Sequence, residues 1–451
     1  MMKEQDGKIV LVRAAALRDA AGVDVRGPIG LDDGCVVAVR GGKVAYAGLW
    51  EDLPGDLQKG KAREIDARGK LITPAHVNGH VHLDLTSVGP QPFSGRFGEW
   101  LMGIRDIRIE QAVPIAVSVE QGVRLSREAG VGYAADIAGS IEALDARRKL
   151  GDKQPLPGVS YVEWYGAGED DEVAARMKSQ ESWTRELEYE TPVSGAGRGI
   201  LVGVQPHAPY SARREVFDRA VHYSQEYAYR LCTHLAESLQ ELELLREGTG
   251  EFAELLKGLS QYDATFTNQG AHPVDYFAEQ LENGRWLLAH CNYLNDRHID
   301  LLAKTGSSVA YCPVASEYFE HGVDTNEEDE YRGGRHRYRE MIDAGVNVCL
   351  GVDSMICQPV DEKQPMGILP QMRKLWQRDG LSGSTAAEML LKMATVNGML
   401  GMELPEGEVT LGEGGNGLFC AVEIDVNDDR DALVQVLEHE QVAELIEALP
   451  D

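Results

Sequence analysis

Short apolar runs alternate with longer helix-type segments through most of this 451-residue chain, from about residue 73 to residue 399. Apolar residues at helical spacing mark segments such as "RREVFDRAVHYSQEYAYR" and "RHIDLLAKTG". Strand–helix alternation predicts a parallel sheet, because parallel neighbours need a crossover between them. Eight apolar runs are present: "LITPAHVNGHVHL", "GVGYAADIAG", "GVSYVEWYG", "GILVGVQPHAPYS", "YRLCTHLAES", "RWLLAHCNYL", "SSVAYCPVAS" and "NVCLGVDSMIC". This number favours an α/β fold of the closed (β/α)8 barrel type over an open doubly wound sheet.

Both ends of the chain have a different, β-like pattern. Before residue 73, runs such as "KIVLVRAAAL" and "GCVVAVRGGKVAYAGL" are short and punctuated by Gly and Pro. The tail "GEVTLGEGGNGLFCAVEID" returns to the same character. We therefore predict a discontinuous small β-sandwich domain, residues 1–72 plus 400–451, joined to a barrel of residues 73–399.

The overall charge limits the class of partner. A formal charge of −29 without any Lys/Arg block argues against nucleic acid and acidic membranes, which need a basic patch. Seven cysteines without CxxC spacing, several within apolar runs, predict reduced buried thiols. Neither a signal-peptide pattern nor an apolar stretch of spanning length is present, so we expect a cytoplasmic protein. The oligomeric state stays open, with a homo-oligomer as one option.

Polar residues that can bind metal or act as acids and bases recur at the carboxyl ends of the predicted strands. They are His80 and His82 on the first strand, His207 on the fourth, His234 and Glu237 on the fifth, His290 on the sixth and Asp353 on the eighth. These strand ends meet at one mouth of a (β/α)8 barrel. The sequence therefore predicts an active site at that mouth.

Four of these residues form a candidate metal site. His80 and His82, two positions apart on a strand, point to the same side, although a lone His-x-His is more often a pair of ordinary polar strand residues. Adding His234 and Asp353 gives three imidazoles and a carboxylate, a set suited to catalytic Zn²⁺ or Fe²⁺ with one position left for water. Such an ion lowers the pKa of its water from 15.7 to roughly 7. We predict a divalent metal, zinc first and iron second.

Two other side chains, Glu237 and His290, have two interpretations each, and His76 has one. Glu237 is placed for general acid and base work three residues beyond His234, or is a surface residue opening the helix "SLQELELL". His290 hydrogen-bonds a developing charge, or is a satisfied buried histidine. His76 shares strand parity with His80 but lies roughly 13 Å back along the strand. We therefore expect it in the barrel interior and away from the metal, in a role that the sequence does not explain.

Together, the motifs "HVH", "QPHAPYS", "THLAES", "LLAHCNYL", "YCP" and "LGVDS" resemble those of the amidohydrolase superfamily over nearly the whole chain. Within it they are similar to the mononuclear deaminase branch, whose members remove amino groups from purines, pyrimidines and related rings. Dinuclear relatives carry a bridging lysine on the fourth strand, whereas "GILVGVQPHAPYS" has none. The resemblance thus implies one metal ion. The other zinc deaminase pattern, H-x-E followed by P-C-x-x-C, is absent.

The same resemblance implies roles for the site residues. Glu237 would carry a proton to the ring nitrogen, His290 would orient the nucleophile or stabilise the adduct, and Asp353 would also accept the proton of the water. The metal ligands implied are His80, His82, His234 and Asp353.

Further motifs are similar to those of particular deaminase groups, and this resemblance implies a class of substrate. "HAPYS", "HLAESLQELELLREGTGEF", "HCNYL" and "EYFEH" are similar to aminodeoxyfutalosine deaminases and to S-adenosylhomocysteine/methylthioadenosine deaminases. An adenine-bearing nucleoside would then be the small-molecule substrate, contacted by His207 and Ser316. Trp100 would lie over the pocket, or pack on its own helix.

Two departures from the relatives fall near the substrate. After "YCP" the chain has Val-Ala-Ser where an Arg and a His are usual, and residues 321–339 are longer and more acidic than usual. They leave open a hydrolase of the same type that removes another leaving group. Its substrate would be a chloro- or alkylamino-triazine, a guanine- or cytosine-type base, or a cyclic amide. A non-catalytic barrel scaffold is the remaining alternative.

Overall fold

A computed structural model of the chain describes most of its residues. Those described are 8–27, 34–58, 62–151, 153, 155–167, 174, 176–182, 199–320 and 335–449. The segment 321–334, which contains most of the acidic stretch named above, lies outside them.

The strands of the described residues belong to two sheets. In chain order they are β1 (Ile9–Arg18), β2 (Asp24–Arg26), β3 (Cys35–Arg40), β4 (Lys43–Leu49), β5 (Arg63–Pro74), β6 (His76–Val81), β7 (Val131–Ala138), β8 (Gly158–Trp164), β9 (Ile200–Pro206), β10 (Arg230–Leu235), β11 (Trp286–His290), β12 (Ser308–Tyr311), β13 (Asn347–Leu350), β14 (Leu418–Glu423) and β15 (Ala443–Glu447).

Strands β6 to β13 form the barrel. They pair in parallel and in sequence order, and each comes from one of the eight apolar runs. The first and last meet at a bridge between Val81 and Asp353, where the Asp353 amide nitrogen donates to the His80 carbonyl oxygen at 2.9 Å. The eight-stranded sheet is thereby nearly closed, and the predicted (β/α)8 fold is confirmed.

Barrel strands are buried on both faces, as parallel strands under a layer of helices must be. Strands β7 and β8 have no exposed or half-exposed position. All seven cysteines fall in the described part of the chain, and they are buried and free. Several lie in the barrel, where they pack as small apolar residues.

Helices cover the barrel and connect its strands. The longer ones are Phe97–Gln111, Ile115–Glu128, Ile141–Leu150, Arg214–Tyr227, Leu239–Glu247, Gly250–Gly258, Asp296–Thr305, Ile368–Arg378, Gly383–Ala394 and Ala432–Glu438, and residues 176–182 are helical as well. The segment "SLQELELLREGTGEFAELLKGL" forms two of them, because Gly248 ends the first with a left-handed φ of 68°. None of the helices in the described ranges has both the length and the apolar character needed to cross a membrane.

The two chain ends form a separate mixed sheet in the order β15-β14-β5-β1-β3-β4, with β2 paired to β1. The first apolar run supplies strands to both sheets: β5 ends at Pro74, and β6 begins at His76. Between them Ala75 donates its amide to the Leu418 carbonyl oxygen at 3.1 Å, which ties the end of the chain to the entry of the barrel. The exact domain boundaries, 72/73 and 399/400, stay a prediction.

Candidate active site

The predicted metal ligands meet at the carboxyl end of the barrel. Ligand atoms of His80, His82 and His234 lie within 4.8 Å of one another, and so do those of His80, His290 and Asp353. His80 is at the centre, its ring centroid 5.1 Å from that of His82 and 5.0 Å from that of His234. Asp353 Oδ1 lies 3.6 Å from His82 Nε2 and 3.8 Å from His80 Nε2. Five side chains from four strands of the barrel thus surround one point.

The chemistry of these donors fits a metal ion. Both ring nitrogens of His80 are buried and have no hydrogen-bond partner among the residues described. Burial, followed by the neighbouring histidines, holds the pKa of His80 well below its usual range, and burial lowers that of His234 to about 4. These imidazoles are therefore neutral, the form that binds metal. A buried ring without partners is costly unless a ligand satisfies it.

The orientation of the His234 ring is fixed by a hydrogen bond on the side away from the cluster. Its Nδ1 donates to the His207 carbonyl oxygen at 2.8 Å, which leaves Nε2 with its lone pair for the cluster. Metal-ligating histidines characteristically use their second nitrogen in this way. Asp353 is likewise supported, since the Cys357 thiol donates to its Oδ2 at 3.5 Å. Burial raises the pKa of Asp353 to about 7.

Unusual backbone conformations collect at the same strand ends. His290, Cys291 and Asp353 have φ values of 70°, 53° and 68°, in the left-handed region that non-glycine residues rarely adopt. Such conformations persist where surrounding contacts hold them and are typical of functional sites. The His290 carbonyl oxygen accepts a hydrogen bond from His336 Nε2 at 2.7 Å, one of the contacts that hold this turn.

Glu237 lies beside the cluster, with Oε1 3.5 Å from His290 Nε2. It is buried, which removes the interpretation of a surface residue opening a helix. Burial, and then the charges of Asp353 and Glu241, raises the pKa of Glu237 well above its usual range. Burial thus favours the protonated form of this carboxyl, compared with that of an exposed glutamate.

The backbone of Glu237 is held on both sides by side chains that the sequence did not single out. Glu241 is fully buried, and its carboxylate accepts the amide of Ala236 at 2.9 Å and that of Glu237 at 3.0 Å. On the other side Asn292 Nδ2 donates to the Glu237 carbonyl oxygen at 2.9 Å. Ala236 has a left-handed φ of 49°. Glu241 and Asn292 thus define the turn that aims Glu237.

Ser316 belongs to this same arrangement. Its hydroxyl is buried and donates to Asn292 Oδ1 at 3.0 Å. In the described structure it does not line the cavity in front of the cluster. A direct contact between Ser316 and a substrate stays a prediction.

That cavity, of about 470 Å³, contains the other predicted substrate residues. His207 lies in its wall, with Nδ1 2.5 Å from Ser211 Oγ and the ring stacked on Tyr165. Trp100 also lines the cavity, and its Nε1 donates to the Tyr318 hydroxyl at 2.8 Å. Trp100 belongs to the helix Phe97–Gln111, one face of which lines the cavity.

The structure adds residues to the cavity that sequence reasoning missed: Asp84, Arg105, Arg108, Glu163 and Tyr165. Glu163 is buried at the end of β8 and accepts from the Tyr165 hydroxyl at 2.5 Å, and burial raises its pKa to about 8. Arg108 Nη2 is 3.3 Å from Asp84 Oδ2. A carboxylate inside the apolar run "GVSYVEWYG" was the available signal for Glu163, since buried carboxylates are rare without a role.

His76 lies at the opposite end of β6 from His80. It is buried, its Nδ1 has no hydrogen-bond partner within the described residues, and burial lowers its pKa to about 4. It is not part of any metal-capable group found in the described structure. The expectation of an interior histidine away from the cluster agrees with this position.

With this geometry in place, comparison with known proteins gives the class. The model of the amidohydrolase family matches residues 71–414. The chain belongs to the amidohydrolase family, as its motifs indicated.

The sequence identity between this chain and individual relatives is low. The chain is 24% identical over 392 residues to the 5-methylthioadenosine/S-adenosylhomocysteine deaminase of Halalkalibacterium halodurans, covering 83% of this chain and 75% of that protein. Its fold is similar to that of Helicobacter pylori aminofutalosine deaminase in complex with methylthio-coformycin, with a TM-score of 0.74, 16% identity and coverage of 98% and 99%. It is also similar to an adenosine deaminase from Xanthomonas campestris with bound zinc, with a TM-score of 0.66, 18% identity and coverage of 96% and 89%.

Proposed function

We propose that this protein is a metal-dependent hydrolytic deaminase that releases ammonia from an aminated heterocycle. The observation that carries the proposal is the meeting of His80, His82, His234 and Asp353 around one point, with the buried Glu237 beside it. The preferred substrates are adenine-bearing nucleosides such as aminodeoxyfutalosine, methylthioadenosine or S-adenosylhomocysteine. The names of the relatives support this class.

One divalent metal ion, zinc first and iron second, is proposed to be held by His80, His82, His234 and Asp353. When bound, such an ion supplies a water of lowered pKa and so a nucleophile at neutral pH. Neutral imidazoles with free lone pairs and one carboxylate match the donors that both metals accept.

The proton transfers are assigned to the chain's own residues. Addition of water to the amine-bearing carbon needs a proton on the adjacent ring nitrogen. Glu237 is placed to deliver it, and burial raises its pKa and so favours the protonated form. Asp353, whose pKa is raised to about 7, is suited to accept the proton of the attacking water. His290, 3.5 Å from Glu237, would orient the nucleophile and stabilise the adduct. Collapse of that adduct expels ammonia after the proton taken up by Asp353 has passed to the departing amino group, while the hydroxyl proton of the adduct returns to Glu237.

The cavity is suited to a nucleoside. Its volume of about 470 Å³ is within the usual range of roughly 300–1,000 Å³ for small-molecule sites. His207, Tyr165 and Trp100 all line it, so aromatic side chains are available to pack against an aromatic base. Polar groups at Glu163 and Asp84 are available for hydroxyl groups of a sugar.

An ammonia-release screen tests the proposal. The purified protein is assayed with adenosine, methylthioadenosine, S-adenosylhomocysteine, aminodeoxyfutalosine, guanine and cytosine. We expect release from at least one adenine nucleoside, and a blank for all of them would contradict the substrate class. Parallel measurement of chloride from a chlorotriazine and of ring-opened acid from a cyclic amide distinguishes the other leaving groups.

A further inference from the structure

Glu163 and His207 lie side by side in the wall of the cavity, on neighbouring barrel strands. Glu163 belongs to β8, and His207 directly follows β9. Glu163 Oε1 is 3.6 Å from His207 Nε2, which is too long for a hydrogen bond. The separation is instead the one expected when both atoms bind a common ion at about 2.1 Å. It equals the 3.6 Å between His82 Nε2 and Asp353 Oδ1 in the candidate metal site.

The oxygen that faces His207 lacks a hydrogen-bond partner. Glu163 is 7% exposed, and its Oε1 is buried without a partner among the residues that the structure describes. A buried carboxylate oxygen in this state is costly unless a ligand satisfies it. Both ring nitrogens of His80 are in the same state. We therefore expect a ligand between Glu163 and His207.

The remaining polar atoms of the two side chains are held in the way typical of metal ligands. Glu163 Oε2 accepts from the Tyr165 hydroxyl at 2.5 Å, and His207 Nδ1 lies 2.5 Å from Ser211 Oγ. The Ser211 hydroxyl in turn donates to the Ala208 carbonyl oxygen at 3.3 Å. His207 Nδ1 is thus the donor to Ser211, and Nε2 keeps its lone pair. Ligating imidazoles and carboxylates characteristically have such outer partners.

A second carboxylate adds negative charge beside this pair. A β-carbon placed on Gly139 would lie 2.9 Å from Asp84 Oδ2 and 3.3 Å from Glu163 Oε2, so both carboxylates lie over the bare backbone of this glycine. Asp84 pairs with Arg108 at 3.3 Å, whereas Glu163 has no Lys or Arg partner in the described part of the chain. Two buried carboxylates with one arginine between them leave a charge that a cation can balance.

We propose that a second zinc ion binds between Glu163 and His207 and blocks the substrate from the cavity. Zinc accepts an imidazole and a carboxylate, whereas Mg²⁺ and Ca²⁺ require oxygen ligands. A ligand atom of His234 lies within 4.8 Å of those of Glu163 and His207, but His234 Nε2 is assigned to the catalytic ion. The second ion therefore has two protein ligands and completes its coordination with water.

The second ion should bind more weakly than the first. Loss of even an outer partner costs a metal site 10- to 100-fold in affinity, so an ion with two protein ligands rather than four should bind at least roughly 100-fold more weakly. The blocking role rests on the proposed function, in which His207 contacts the substrate. An ion with its water at His207 occupies part of the cavity that the substrate needs, and excess zinc should therefore inhibit competitively.

Equilibrium dialysis of the purified protein against increasing zinc, with bound zinc measured by plasma emission spectrometry, tests the site. We expect two equivalents per chain in the wild type, and one in both Glu163→Gln and His207→Asn. The retained first equivalent shows that the variants are folded. Glu142→Gln, an exposed position on the helix Ile141–Leu150, is the matched control and should bind two. One equivalent in the wild type, or two in both site variants, would overturn the proposal.

Diffraction at the zinc absorption edge locates the second ion without any variant. Crystals of the wild type soaked in zinc should show an anomalous peak between Glu163 and His207, besides that at the histidine cluster. A second zinc ion found only at surface carboxylates would overturn the site.

Kinetics separate this inference from the proposed function. With a substrate found in the ammonia-release screen, zinc at ten times the second dissociation constant should raise the apparent KM roughly 10-fold at unchanged kcat, and Mg²⁺ should not. Two bound equivalents without ammonia release from any nucleoside would contradict the deaminase function alone. Ammonia release that excess zinc leaves unchanged, or inhibits through kcat at constant KM, would overturn the blocking role alone.

Discussion

The histidine cluster and the helix Phe97–Gln111 face the same cavity but are built differently. The cluster lies on strand ends, is buried, and is held by backbone pairing and by side chains such as Glu241 and Asn292. The helix has exposed cations, and its first amides, those of Phe97 and Gly98, donate to the carboxylate of Glu251. Rigid strand ends suit chemistry that needs fixed distances, whereas an exposed helix can change its side chains without disturbing the barrel. We propose that the strand ends carry out the reaction and that the helix wall contributes to the choice of substrate.

Removal of the metal is expected to have the largest effect. Dialysis against 1,10-phenanthroline should reduce ammonia release to background, and about one equivalent of Zn²⁺ should restore it, because four donors converge on one site. His234→Ala should lower bound zinc, measured by plasma emission spectrometry. Full activity in metal-free protein would contradict the role assigned to the cluster.

Glu237→Gln follows. We expect kcat to fall by roughly 10²- to 10⁴-fold, because the amide cannot deliver a proton to the ring nitrogen. Bound metal should stay at the wild-type level, which distinguishes loss of chemistry from loss of the site. Glu243→Gln, an exposed position on the next helix, is the control and should keep full activity. Loss of metal in Glu237→Gln would make Glu237 structural.

Glu241→Gln tests whether fixed geometry matters on the strand side of the cavity. The amide can accept only one of the two backbone N–H groups that the carboxylate accepts. We expect kcat to fall by roughly 10- to 100-fold with KM within about 3-fold, given the worth of a buried charged hydrogen bond. Steady-state kinetics measures this split. A change in melting temperature with unchanged kcat would indicate a purely structural role.

Trp100→Phe changes the helix wall of the cavity and should have the smallest effect. It keeps an aromatic ring but loses the hydrogen bond to Tyr318, which is worth about 1 kcal/mol. We expect KM to rise about 5-fold with kcat and bound metal unchanged. Trp50→Phe, in the chain-end sheet region, is the control and should leave both constants unchanged. A fall in kcat without a rise in KM would break the division between the two walls.

The sequence by itself determined the barrel and its reactive end. Each of the eight apolar runs contributed one barrel strand, and the residues that end these strands came together. The reason is that parallel strands in a closed barrel carry their carboxyl ends to one face whatever the details of packing. His80 and His82 were readable as partners because side chains on a strand alternate with a period of two.

Only the tertiary structure decided what lies off the strands. No local rule indicates that Arg105 points over the cavity, that Glu251 holds the start of its helix, or that Ser316 lies behind Asn292. The direction of a helix or loop side chain depends on how the element packs against others far away in the chain. The same holds for Ala75, where one apolar run passes from the chain-end sheet to the barrel, because the hydrogen bond that marks the change comes from Leu418, more than 300 residues later.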